Sequence, residues 1–175
     1  MCLLNYSDLT NKTIVEIGVG STFPSYNFYR KSKPKLIFAF EMRPLEINSI
    51  SRFAKYIVVK ENEKFILPTD CTSVDFLILS KVFNTKSEEE SYKFLDNIIK
   101  INAKKIFIEE YNLSGKEFIG VDKLSNYFEN IHCKTKIFRN ARIFPERYYE
   151  GSRNIKHRLY NIFFCKRDVL MIDNF

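Results

Sequence analysis

The stretch Thr13-Ile-Val-Glu-Ile-Gly-Val-Gly-Ser21 constrains the fold more than any other part of the chain. Thr13, Ile14, Val15 and Ile17 are β-branched, and with the single acid Glu16 they read as a short buried strand. Gly18 and Gly20 follow at once, and a helical segment is expected from about Pro24, a residue suited to a first helical turn. A strand that runs into two spaced glycines and then a helix lets backbone approach a ligand closely. The missing side chains leave room, and the helix start offers N–H groups with no partner in the helix.

The chain then alternates strand and helix patterns. After a break at Lys33-Pro34, residues 35–40 form a continuous apolar run, as expected of a parallel strand buried on both faces, and the run ends in Glu41. An acid at the carboxyl end of the second strand, about 20 residues past a glycine loop, is placed to accept from both hydroxyls of a ribose. Met42 is next to it, positioned for an adenine ring or for the rim of the core. A helix is expected over 44–53, an edge strand over 56–59, and a turn over 68–72 that contains Asp70. Residues 74–79 read as the fourth strand. Ser80, Lys81 and the residues after them then fall on the carboxyl rim, where open α/β sheets bind ligands.

Thr85-Lys-Ser-Glu88 has the form of a capping box and predicts a helix to about Asn102. Residues 103–109 contain the fifth strand, which brings Glu109, Glu110, Tyr111 and Asn112 to the same rim. Glu109 and Glu110 are adjacent and so point to opposite faces, which argues against a paired-carboxylate mechanism. Val121, Leu124, Tyr127, Phe128 and Ile131 mark another amphipathic helix. Strand-like segments at about 134–143 and 159–166 finish the pattern, which predicts an α/β three-layer sandwich with a mostly parallel sheet and an antiparallel C-terminal hairpin.

A length of 175 residues suits one domain, here residues 1–175. No apolar run is long enough to cross a bilayer, and no signal peptide is recognisable, so a cytoplasmic protein with no membrane partner is expected. Cys2, Cys71, Cys133 and Cys165 are scattered, and His132 and His157 have no partners at metal-ligand spacing, which argues against zinc or a disulfide framework. The net charge of +7 is uneven: residues 134–167 hold ten Lys or Arg against two acids. Between the last two strand patterns, Arg147 and Arg153 flank Tyr148 and Tyr149. Cations for phosphate and rings for unstacked bases suit a nucleic acid, RNA more than DNA. The competing reading is a basic surface that keeps an aromatic-rich protein in solution.

Glu16-x-Gly18-x-Gly20 together with Glu41 resembles the cofactor-binding motifs of the Rossmann-like (class I) S-adenosylmethionine (SAM)-dependent methyltransferases. The resemblance spans about residues 13–166 and implies a seven-stranded sheet whose last strand is antiparallel. It implies that Glu16, Gly18, Val19 and Gly20 pass beneath the methionine part and ribose of the cofactor, and that Glu41 binds the ribose. Met42, Asp70 and Ser80 are then cofactor-side candidates, and Lys81, Glu109, Tyr111, Asn112, Arg147 and Arg153 are substrate-side ones. No catalytic residue is assigned. The family's Asn- or Asp-Pro-Pro-aromatic motif for exocyclic amines is replaced here by Ser80-Lys-Val-Phe83, which argues against that acceptor chemistry. An NAD site is disfavoured because Phe23 stands where a dinucleotide fingerprint has its third glycine. The remaining alternative is a non-catalytic binding or scaffold subunit of the same fold that contacts nucleic acid through its basic C-terminal segment.

Overall fold

The computed structural model describes residues 1–20, 25–41, 54–58, 67, 71–84, 86–112, 119–145 and 166–173. The helix expected over 44–53 lies outside them. In chain order the elements are β1 (Thr13–Ile17), α1 (Tyr26–Ser32), β2 (Leu36–Glu41), β3 (Ala54–Val58), β4 (Val74–Ser80), α2 (Glu88–Ile98), β5 (Ala103–Tyr111), α3 (Val121–Asn130), β6 (Lys134–Phe138) and β7 (Arg167–Asp173). They build one mixed sheet in the order β3-β2-β1-β4-β5-β7-β6. β1, β2, β3, β4 and β5 pair in parallel, while β7 runs antiparallel to both neighbours. This is the α/β, Rossmann-like arrangement with antiparallel C-terminal strands.

Strand parity divides the core into two layers, because successive side chains leave a strand on opposite faces. Val15 and Ile17, Phe38 and Phe40, Leu77 and Leu79, and Ile106 and Ile108 meet α2 and α3 through Leu95, Ile98, Leu124 and Phe128. Ile14, Ile37, Ala39, Ile78 and Phe107 meet α1 through Phe28 and Tyr29, together with Leu4, Leu9 and Phe144. Every residue of β1 is buried, as a central strand covered on both faces must be. Asp75, near the start of β4, is structural: it accepts from the Thr13 N–H at 3.0 Å and from Lys104 Nζ at 2.8 Å.

Several boundaries differ from the sequence pattern. The capping box at the start of α2 is Ser87 with Glu90: the Glu90 N–H donates to Ser87 Oγ at 3.2 Å and the Ser87 N–H to Glu90 Oε2 at 2.7 Å. The chain offers two overlapping hydroxyl–acid frames, and the extended Ser87 backbone selects the later one. The helix ends at Ile98, with a 3-10 turn at Ile99–Ile101 and Asn102 in the left-handed region. β6 stops at Phe138 rather than near residue 143. The strand that pairs with β5 and β6 is Arg167–Asp173, beyond the 159–166 segment expected to form it. Arg167 and Asp168 look like a strand-ending charge pair in sequence, yet both are buried, because each finds an opposite charge in the fold. The first residues pair with the chain leaving β6: the Leu3 and Leu4 N–H groups donate to the Arg142 and Ile143 carbonyls at 3.0 Å.

Candidate functional site

The carboxyl ends of β1, β2, β4 and β5 share one rim, and parity sorts its side chains between the two faces. Glu16, Glu41, Ser80 and Glu109 occupy strand positions in phase with the α1 layer. Glu16 is therefore directed beneath α1, which supplies two hydroxyls. Ser25 Oγ donates to Glu16 Oε1 and Oε2 at 3.0 and 2.8 Å, and Tyr29 Oη donates to Oε2 at 2.5 Å. Burial raises the Glu16 carboxyl to about 7 against the pull of those hydroxyls, and Glu109 adds to the rise.

The glycine loop closes onto its neighbours. Gly18 and Gly20 have φ of 79° and 75°. A Cβ on Gly18 would fall 3.0 Å from the Ser80 carbonyl oxygen and 3.1 Å from Val82 Cγ2, so only glycine permits this approach to the turn after β4. The Gly18 N–H donates to the Phe40 carbonyl at 3.0 Å, and the Gly20 N–H donates to Glu41 Oε2 at 2.7 Å. Loop and acid thus meet where β1 lies between β2 and β4. The next connected strand there changes side, and open α/β sheets leave a crevice at that switch point.

At the β5 end, Glu109 is fully buried and its charge is met by two donors. Arg167 Nη1 donates at 2.9 Å and the Ile143 N–H at 2.8 Å. Lys81, directly after β4, has φ of 57°, and its N–H donates to the Glu109 carbonyl at 2.8 Å. Its Nζ lies 5.4 Å from the centroid of the Tyr111 ring, and the Arg167 guanidinium lies 5.3 Å from the same ring.

The α3 face of the rim is built differently. Glu110 accepts from the Phe83 N–H at 3.0 Å, and burial raises its carboxyl to about 7 while the backbone N–H groups of Phe83 and Val82 oppose the rise. Beside it lies a cavity of about 100 Å³ lined by Asn84, Glu110, Tyr111, Asn112, Arg139 and Asp168, with the start of α3 closing one side. Asp168 organises this wall: it accepts from Asn112 Nδ2 at 3.0 Å, Arg139 Nη1 at 2.6 Å and the Asn140 N–H at 3.0 Å. Arg139 also donates to Asp122.

Of the candidates read from sequence, Gly20 with Glu41, Gly18 with Ser80, and Lys81 with Glu109 and Tyr111 are brought together. Asn112 stands apart from these, on the α3 face with Asp168. The Val19 side chain is buried in the α1 layer, so only its backbone faces the crevice side. Met42, Asp70, Arg147 and Arg153 lie outside the described residues. Sequence reasoning missed Ser25, Tyr29, Arg139, Arg167 and Asp168 as parts of the rim. It also counted Arg139 and Arg167 toward a basic footprint, although both are spent on acids of the protein itself. Among the described residues no group of three His, Cys, Asp or Glu could hold a metal ion, and no helix is long and apolar enough to cross a membrane.

This arrangement defines a class I, Rossmann-like methyltransferase fold. Structural neighbours over nearly all of the chain include SAM-dependent methyltransferases. A SAM-dependent methyltransferase from Aquifex aeolicus superposes with a TM-score of 0.62 at 14% identity, over 97% of this chain and 86% of that one. TrmK of M. capricolum, solved with its cofactor product S-adenosylhomocysteine (SAH), gives 0.61 at 14% identity, over 97% and 66%. PH1948 of Pyrococcus horikoshii, a proposed RNA methyltransferase, gives 0.55 at 14% identity, over 97% and 78%. No family model matches the chain, and no curated protein matches it in sequence.

Proposed function

We propose that the protein is a SAM-dependent methyltransferase acting by in-line displacement, with RNA or another nucleic acid as acceptor. The observation that carries this reading is the contact between Glu41 and the Gly20 N–H, which joins a left-handed glycine loop to an acid at the switch point of the sheet. The residues fit SAM. Gly18, Val19 and Gly20 offer backbone at close approach, and Glu41 offers a carboxylate for the ribose hydroxyls. Met42, Asp70 and Ser80 complete the cofactor side.

When bound, SAM supplies a methyl group activated by positive sulfur, so the protein's task is position and electrostatic setting. Glu16 ties the end of β1 to α1, its oxygens accepting from Ser25 and Tyr29. Lys81 and Tyr111 are placed for the acceptor side, with the buried Glu109 held behind them by Arg167; Asn112 is on the α3 face, and Arg147 and Arg153 are the candidates for phosphate contact. A cytoplasmic location is in keeping with the thiols of Cys2, Cys71 and Cys133.

Calorimetric titration with SAM and SAH, beside a Glu41→Ala variant, tests the reading. Saturable heat from the wild type, lost at least about tenfold in affinity by the variant, is the expected result. The second reading is a non-catalytic scaffold of the same fold. It draws on the fact that the carboxylates of Glu16 and Glu41 already hold internal donors. It predicts no heat from either ligand while RNA binding persists.

A further inference from the structure

Lys81 is the one rim residue whose backbone, neighbours and position all call for an explanation beyond ligand contact. It is a non-glycine residue at φ 57°, held there by its N–H bond to the Glu109 carbonyl. Left-handed backbone strains a side-chain-bearing residue, and such strain collects at working sites. The turn that carries it is the one packed against Gly18, so Lys81 sits between the glycine loop and the end of β5.

Its amine is half-buried over the Tyr111 ring, which it shares with a second cation, Arg167. The charged groups acting on it are Arg167 and Arg142 on one side, and Glu109, Glu110 and Glu16 on the other. Glu109 is committed to Arg167 and the Ile143 N–H, Glu110 accepts from the Phe83 N–H, and Glu16 is held by the α1 hydroxyls.

We propose that the Lys81 amine accepts the proton released by the methyl acceptor, so that the acceptor is an N–H or O–H group and not one with no proton to lose, such as a thioether. This rests on the methyl-transfer reading above. The acceptor lone pair forms the new bond to the methyl carbon, the carbon–sulfur bond breaks with its electron pair leaving on sulfur, and the acceptor's proton passes to Lys81, which becomes an ammonium and returns the proton to water. Burial, with Arg167 next in weight, lowers the Lys81 amine to about 8, so it releases and takes up a proton close to neutral pH, where a general base is most effective.

The test is trace reductive methylation of the protein's lysines from about pH 6 to about pH 11, read residue by residue by mass spectrometry, with and without SAH. Lys81 is expected to reach half-labelling near pH 8, well before the exposed Lys93, which its Glu89 partner holds above the ordinary lysine value, and SAH is expected to slow labelling at Lys81 and not at Lys93. A Lys81 profile that coincides with Lys93 overturns the proposal, and so does labelling that SAH leaves unchanged although calorimetry shows it bound. Absence of SAH binding by calorimetry is a separate failure, that of the methyltransferase reading itself, and takes the proposal with it. An Arg167→Met variant sharpens the result: with that cation gone, the Lys81 midpoint moves upward, and a midpoint that does not move argues against the assigned environment.

Discussion

On the α1 face of the rim, Glu16 and Glu109 are 3% and 0% exposed, and protein donors satisfy them; on the α3 face, the Asp122 side chain is 66% exposed and its Arg139 partner 48%. Both faces bury acids at strand ends, Glu110 and Asp168 on the α3 face among them, but the α3 face also carries an ion pair, Asp122 with Arg139, that stays in water. A buried charge must be matched or neutralised, because its desolvation costs several kcal/mol, whereas an exposed pair is screened and contributes little. The α1 face thus depends on every partner being present, while the exposed Asp122–Arg139 pair of the α3 face tolerates loss. The glycine loop and Glu41 belong to the intolerant face.

The largest effect is expected where that matching is broken. Arg167→Met removes the cation paired with Glu109, which is 0% exposed, and should cost about 3–5 kcal/mol in urea unfolding. A double change with Glu109→Met should recover much of the loss, and failure to recover would mean that Arg167 acts mainly through packing.

The next effect concerns pH. Glu16 and Glu110 each have a folded carboxyl near 7 against an ordinary 4.5, so the native state holds these protons longer than the unfolded chain. Stability from these groups is therefore fully present below about pH 4.5 and is lost as pH rises to about 7, by on the order of 3 kcal/mol for each. Urea melts at pH 5 and pH 8 should show the decline, and Glu16→Gln should flatten the α1-face share of it. A wild type more stable at pH 8 would reverse the assignment.

Smaller still is Tyr29→Phe. It removes one hydroxyl from Glu16 and should cost about 1–2 kcal/mol at pH 8, with the Glu16 carboxyl rising further because a donor to its ionised form is gone. The same melts at pH 5 should show a smaller loss. On the other face, Asp122→Asn should change stability by less than about 1 kcal/mol, since Arg139 keeps the buried Asp168. An equal cost from Tyr29→Phe and Asp122→Asn would erase the contrast between the faces.

Glu16, Gly18, Gly20 and Glu41 were legible in the chain because a β-branched run punctuated by glycine is a local signal, and the opposite aims of Glu109 and Glu110 follow from strand parity alone. The partners of those acids were not legible. Arg167 lies 58 residues from Glu109, and nothing local marks it as a buried strand residue; its charge argues the reverse. Tyr29 and Ser25 reach Glu16 because of how α1 is rotated on the sheet, which only packing decides. The capping frame was ambiguous for a different reason: Thr85 and Ser87 each stand three residues before a glutamate, so composition alone leaves both frames open.

The insertion of β7 between β5 and β6 has a consequence for how the chain folds. β6 precedes β7 in synthesis but touches the sheet only through it, so β6 has no strand to pair with until the later one arrives. The parallel strands β1, β4 and β5 can assemble first. Glu109 then waits at the open edge, still hydrated, for Arg167 to come in on β7. Pairing that carboxylate and seating β7 in the sheet depend on the same long-range contact, between residues 58 apart in the chain, a kind of contact that slows folding. The last strand in the chain therefore works as a keystone: a ribosome-bound nascent chain that lacks it should bury neither Glu109 nor the β6 edge, and its site cannot mature ahead of its fold.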